Sequence, residues 1–111
     1  MIKTINLKDV GQVESAIAIL KMEIEQAKKE TITILKCIHG YGSHGHGGVI
    51  LKSIRKELSL LKRQNKIRDF FNGDKWNLFE KEVVEILSKD KTIVMDEDLN
   101  KNNPGITIVV I

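Results

Sequence analysis

Residues 31–50 read Thr31-Ile-Thr-Ile-Leu-Lys-Cys-Ile-His39-Gly40-Tyr-Gly-Ser-His-Gly-His-Gly-Gly48-Val-Ile50, and the fold turns on this stretch. Thr31 to Ile38 is β-branched and nearly continuous in apolar character, which suits a strand covered on one or both faces in a mixed or parallel sheet. Five of the eight glycines then fall between His39 and Val49. After them Ile50, Ile54, Leu58 and Leu61 recur at helical spacing. A strand that feeds a glycine-rich loop into a helix leaves free backbone N–H groups and the positive end of the helix dipole aimed at one spot. Glycine supplies positive φ and lets a ligand approach the backbone with no Cβ in the way. The expected ligand is an anion, phosphate above all. The expected contacts are the loop itself (His39, Gly40, Tyr41, Gly42, Ser43, His44, Gly45, His46, Gly47 and Gly48) with Lys52 and Arg55 in the first turns of the helix.

Working outward, Ile2 to Leu7 is a short strand, and Val13, Ile17, Leu20, Ile24 and Ala27 mark a helix with one stripe toward the core. Ile67 to Phe71 reads as a third strand, closed by the turn Asn72-Gly73-Asp74. Trp76 is expected to open a third, shorter helix with Phe79, Val83, Ile86 and Leu87 inward, and Trp76 itself to be core. The polar run Asp96 to Asn103 reads as a loop ended by Pro104-Gly105, and Ile106 to Ile111 as a buried last strand. The order β-α-β-α-β-(α)-β predicts a two-layer α/β sandwich on a mostly parallel four-stranded sheet. The length of 111 residues fits a single domain, 1–111, with 75–103 as an insertion before the last strand.

Composition sets the class. An apolar fraction of 41% and a charged fraction of 30% are those of an ordinary globular protein. The one cysteine, Cys37, cannot form an internal disulfide and reads as a buried strand residue. No apolar run of membrane length and no signal-peptide core are present, so no membrane partner and a cytoplasmic location are expected. The net charge is only +3, but residues 49–68 carry seven basic side chains against Glu57. A local basic face beside a special loop is the footprint that phosphate binding leaves.

Named motifs narrow the choice. Gly40-x-Gly42-x-x-Gly45 matches the dinucleotide fingerprint, but the best acid for a ribose, Asp69, lies in mid-strand rather than closing one. A Walker A loop is excluded because no Lys-Ser/Thr pair follows the glycines directly. His39, His44 and His46 are all the histidines of the chain. They could hold zinc or nickel only with acids from another element or a partner chain, so no metal site is assigned. His39 alone could act as an acid, a base or a phosphate donor, or could pack at the strand end and cap the loop.

At this loop the sequence resembles the Smr family, the small MutS-related domain, whose second motif has a His-Gly-x-Gly core: here His39-Gly40-Tyr41-Gly42, with Gly45, Gly47 and Gly48 leading into a helix. The resemblance extends over most of the chain through the order of strands and helices. It implies an α/β sandwich that binds DNA or RNA, in some members an endonuclease, with links to MutS-like ATPases and to repair or recombination. It places His39, Gly40 and Gly42 in the nucleic-acid site, with Mg or Mn as the divalent metal of a cutting version and no cofactor for binding. The family's first motif, Leu-Asp-Leu-His-Gly, is not kept. Asn6 stands where the acid belongs and Lys8 where the histidine belongs, so cleavage loses its carboxylate while Lys8 can still meet phosphate. The competing expectation is a non-catalytic interaction module whose loop takes a protein partner, such as a MutS-like or other repair protein, or a phosphorylated ligand.

Overall fold

The computed structural model describes residues 1–40 and 47–111. Strands β1 (Ile2–Asn6), β2 (Ile34–Ile38), β3 (Asp69–Asn72) and β4 (Ile106–Val110) form one sheet in the order β1-β2-β4-β3. Helix α1 (Val13–Lys28) joins β1 to β2, and α2 (Gly47–Arg63) joins β2 to β3. Helix α3 (Lys81–Lys89) lies between two 3₁₀ turns, Gly73–Lys75 and Lys91–Met95, on the way to β4.

The sheet is α/β as expected, but its pairings are not mostly parallel. β1 and β2 pair in parallel, with Asn6 opposite Ile38, whereas β2–β4 and β3–β4 are antiparallel. β1, β2 and β3 therefore all run one way, as consecutive helical crossovers require. β4 enters from the pole where β2 ends and wedges between β2 and β3 in the opposite direction.

Alternation along the strands sends side chains to two separate cores. Ile5, Leu35, Cys37 and Val109 face Leu20 and Ile24 of α1 and Ile54 and Leu58 of α2. Burial pushes the Cys37 thiol up to about 12, so it packs as a small apolar group. On the other face Ile34, Ile106 and Ile108 meet Trp76, Val83, Ile93 and Leu99. Residues 75–103 thus pad the second face of the sheet. Their local reading needs correction: Trp76 follows a 3₁₀ turn instead of opening a helix, and α3 begins at Lys81. Phe79, expected inward, is 99% exposed, because it precedes the helix whose periodicity it was assigned to.

Asp96 to Asn103 is more than a polar loop. Lys36 sits on the Trp76 face of β2 with 3% of its side chain exposed, and its Nζ lies 2.8 Å from Asp96 and 2.6 Å from Asp98. Desolvation pulls the Lys36 pKa down, but the two carboxylates more than offset it and the net shift is upward. Asp98 moves the other way: burial raises it, Lys36 and Asn103 lower it further, and it ends below the ordinary carboxylate range. Asp96 also accepts the indole N–H of Trp76 at 2.9 Å. At the far end of this layer Asp90 accepts the Thr33 hydroxyl and the backbone N–H of Thr92, the latter at 3.0 Å.

Two predictions follow from this packing. Lys36→Met leaves two poorly exposed carboxylates without their cation and should cost about 3–5 kcal/mol in urea unfolding. A loss near zero would mean that water already serves those carboxylates. At Gly73 a Cβ would overlap the Asn103 carbonyl oxygen, whereas at Gly11 it would meet nothing within 4 Å. Gly73→Ala is therefore expected to destabilise by about 1–3 kcal/mol and Gly11→Ala to stay within about 0.5 kcal/mol of wild type.

Candidate nucleic-acid interface

One pole of the sheet collects the carboxyl ends of parallel β1 and β2, the start of β4 and the N-terminus of α2. Open α/β sheets place ligands outside such strand ends. The backbone closes it tightly: Leu7 N–H donates to the Ile38 carbonyl at 2.7 Å, and the N–H groups of His39 and Gly40 both donate to the Gly105 carbonyl at 3.0 Å. Gly40 has φ of +75°, a left-handed conformation that makes glycine the natural residue there. The aliphatic stem of Lys8 lies beside it, 3.7 Å from where a Cβ would stand. Lys8 is held by an Asx turn in which its N–H donates to the Asn6 side-chain oxygen at 2.8 Å. The Asn6 side-chain amide therefore shapes the turn that presents Lys8.

His39 is fully buried, and both ring nitrogens have partners. A carbonyl can only accept, so Nδ1–H donates to the Gly40 oxygen at 2.7 Å and Nε2 accepts from the Thr107 hydroxyl at 2.8 Å. Burial lowers the His39 pKa, and the Arg55 guanidinium lowers it further, against the raising effect of the hydrogen bond to Gly40. His39 is a neutral imidazole that fixes the end of β2 to β4.

The helix supplies the positive side. No acidic residue lies in the first turn of α2, so nothing on the helix offsets its dipole there. Lys52 is exposed. The Arg55 Nε is buried, with no hydrogen-bond partner among the described residues. The structure thus brings Lys8, His39, Gly40, Gly48, Lys52 and Arg55 to one pole. Tyr41, Gly42, Ser43, His44, Gly45 and His46 lie outside the described residues, as does the side-chain environment at Gly47. Among the described residues no group of three His, Cys, Asp or Glu could hold a metal ion. Among the described residues no helix is long and apolar enough to cross a membrane.

Sequence reasoning missed the supports of this pole. Thr107 orients the His39 ring, Gly105 anchors the loop base, and Asn103 accepts the Gly105 N–H at 2.8 Å. The available signal was a lone polar residue in Ile106-Thr107-Ile108-Val109-Val110, whose buried side chain needed a partner.

Among solved structures the chain is similar to the Smr domain of Thermus thermophilus MutS2, with a TM-score of 0.61 and 18% identity over 97% of this chain and 95% of that one. The fold is the Smr fold. No family model and no curated protein match the sequence. At this identity the likeness carries the architecture and leaves the residues to be argued from their own geometry. In this chain the His39-Gly40 pair follows the end of β2, and Asn6 and Lys8 lie at the end of β1.

A buried neutral His39 has a consequence for stability. The unfolded chain takes up this proton near pH 6.5, whereas the folded state resists it to lower pH, so stability falls as pH drops below about 6.5. Denaturant unfolding at pH 7.5 and pH 5 should show this loss in wild type and a smaller one in His39→Gln. Equal losses would mean that the ring is not held neutral.

Proposed function

We propose that this chain is an Smr-like domain that binds the phosphate backbone of DNA or RNA through the pole formed by Lys8, Gly40, Lys52, Arg55 and the N-terminus of α2. The observation that carries the reading is the convergence of uncommitted donors there. The Arg55 Nε lacks an acceptor among the described residues, and the first turn of α2 has no acid. Lys8 and Lys52 are exposed, beside a backbone that turns through a left-handed glycine. Anions bind where such N–H groups and cations meet. The Smr fold and the His39-Gly40 pair add support from the side of resemblance.

Binding without cleavage is the form of the reading that these residues favour. A cut needs a group to move a proton, and the His39 nitrogens are both engaged beneath the surface. It also needs a hard oxygen donor if Mg or Mn is to help. Asn6 uses its side-chain oxygen in the turn to Lys8, and only exposed Asp9 stands nearby in sequence. Among the described residues the donor set does not fit such an ion, and no step is routed through one.

Fluorescence anisotropy with labelled duplex and single strands, between about 50 and 200 mM salt, tests the reading. Binding should weaken steeply with salt. Lys52→Ala with Arg55→Ala should lower affinity by about tenfold or more and reduce the salt slope by about 2, near 0.9 per lost phosphate contact. An affinity that ignores salt, or that survives the double change, would move the function to a protein-binding module. Cleavage in Mg²⁺ or Mn²⁺ that disappears in His39→Ala would overturn binding without cutting.

A further inference from the structure

The seven basic residues between Val49 and Arg68 do not all belong to the pole just described. Helix α2 has 17 residues and is about 25 Å long at 1.5 Å per residue. Only Lys52 and Arg55 stand near its start. On an ideal helix Lys52, Lys56, Ser59 and Arg63 fall within about 60° of one another, opposite the Ile50, Ile54, Leu58 and Leu61 stripe that packs on the sheet. All four are exposed. The single acid of this helix, Glu57, is turned off this line and lies 3.6 Å from Lys21 of α1.

Further basic residues follow the helix end. Asn65 adopts φ of 58°, Asn65 N–H donates to the Lys62 carbonyl at 3.0 Å, and Lys66 N–H donates to the Leu61 carbonyl at 2.9 Å. This is a Schellman ending, and it turns the chain back so that Lys66 and Arg68 line a groove with Lys28 and Lys62. Lys62 is already spent on Asp69 at 3.0 Å. Lys28 pairs with Glu25 at 3.4 Å. Lys66, Arg68 and Arg63 make no ion pair among the described residues.

We propose that this ridge, from Lys56 through Arg63 to the groove at Lys66 and Arg68, is a second contact for a nucleic-acid backbone, so that the domain lies along a duplex with the glycine-loop pole at one end. The inference rests on the nucleic-acid reading above and extends it to residues that the loop does not include. A duplex is the ligand that fits. The ridge offers exposed cations with no aromatic platform among the described residues, and single strands are held largely by stacking. The fully exposed aromatic, Phe79, sits in the segment that covers the opposite face of the sheet. At 3.4 Å per base pair, 25 Å of helix spans about seven base pairs.

The experiment compares two triple variants of the full chain that remove the same charge. Lys56→Ala, Arg63→Ala and Lys66→Ala strip the ridge, while Lys81→Ala, Lys91→Ala and Lys101→Ala strip exposed lysines of the α3 layer. All six side chains are exposed, so thermal unfolding should stay close to wild type in both. Anisotropy is read with duplexes of about 5 and about 15 base pairs and with a matching single strand. The ridge triple is expected to weaken the longer duplex by about tenfold or more and to lower its salt slope by 2–3, at about 0.9 per contact. The short duplex should lose less, and the α3-layer triple should change either by less than threefold. Equal losses in the two triples would leave only net charge and overturn the ridge. A larger loss on the single strand than on the duplex would overturn the choice of ligand. If Lys52 and Arg55 matter but the ridge triple binds like wild type, the ridge fails while the loop reading stands. If wild type binds no nucleic acid, both fall.

Discussion

Lys36 carries an ammonium into a strand covered on both faces, and a charge in that position persists only if it is paired and hydrogen-bonded. Asp96 and Asp98 meet that demand from the segment just before β4. The consequence travels along the chain. Asp98 accepts the Asn103 side-chain N–H at 3.0 Å, Asn103 accepts the Gly105 N–H, and the Gly105 carbonyl takes the N–H groups of His39 and Gly40. A buried cation on one face of β2 thus fixes the position of β4, and β4 in turn fixes His39 and Gly40 at the end of β2. Rigid support of this kind is what a binding site built from backbone N–H groups requires, since those groups cannot reorient by changing rotamer.

Much of the architecture was legible because its signals are periodic. The stripes Val13-Ile17-Leu20-Ile24 and Ile50-Ile54-Leu58-Leu61 gave α1 and α2, and the runs around Leu35 and Ile108 gave the central strands. What was not legible is non-local. The direction of β4 depends on which pole the 96–103 segment reaches, and that is set by Lys36, far away in sequence. Phe79 entered a helical stripe by spacing alone, although the turn around Asn77 ends before Lys81 and leaves the ring in solvent. The buried Trp76 was expected, and its reason lies in Asp96, which completes the indole N–H.

At the candidate site the letters pointed to the pole at the end of β2 and were less informative about what its side chains do. The pairing of His39 with Gly40 marks the end of β2, but the ring faces inward, toward Thr107. A histidine at a glycine loop suggests chemistry because its ordinary pKa lies near neutrality. Burial removes that property here and leaves a rigid, two-sided hydrogen-bonding wedge between β2 and β4. The left-handed Gly40 is the immediate result, because its carbonyl must turn to receive the Nδ1–H.

The two ends of α2 then do different physical work. Near Gly47 and Gly48 the helix offers backbone donors and a dipole end, which select for an oxyanion's position over a few ångströms. Toward Arg63 and beyond the Schellman turn it offers only flexible cations, which sense charge over a Debye length and tolerate many geometries. A ligand held at the first end alone needs no length, whereas one that also satisfies the second must be long and uniformly charged. On the proposed reading, α2 therefore also sets the minimum length of phosphate backbone that can meet both of its ends, because its apolar stripe on the sheet keeps the two ends a fixed distance apart.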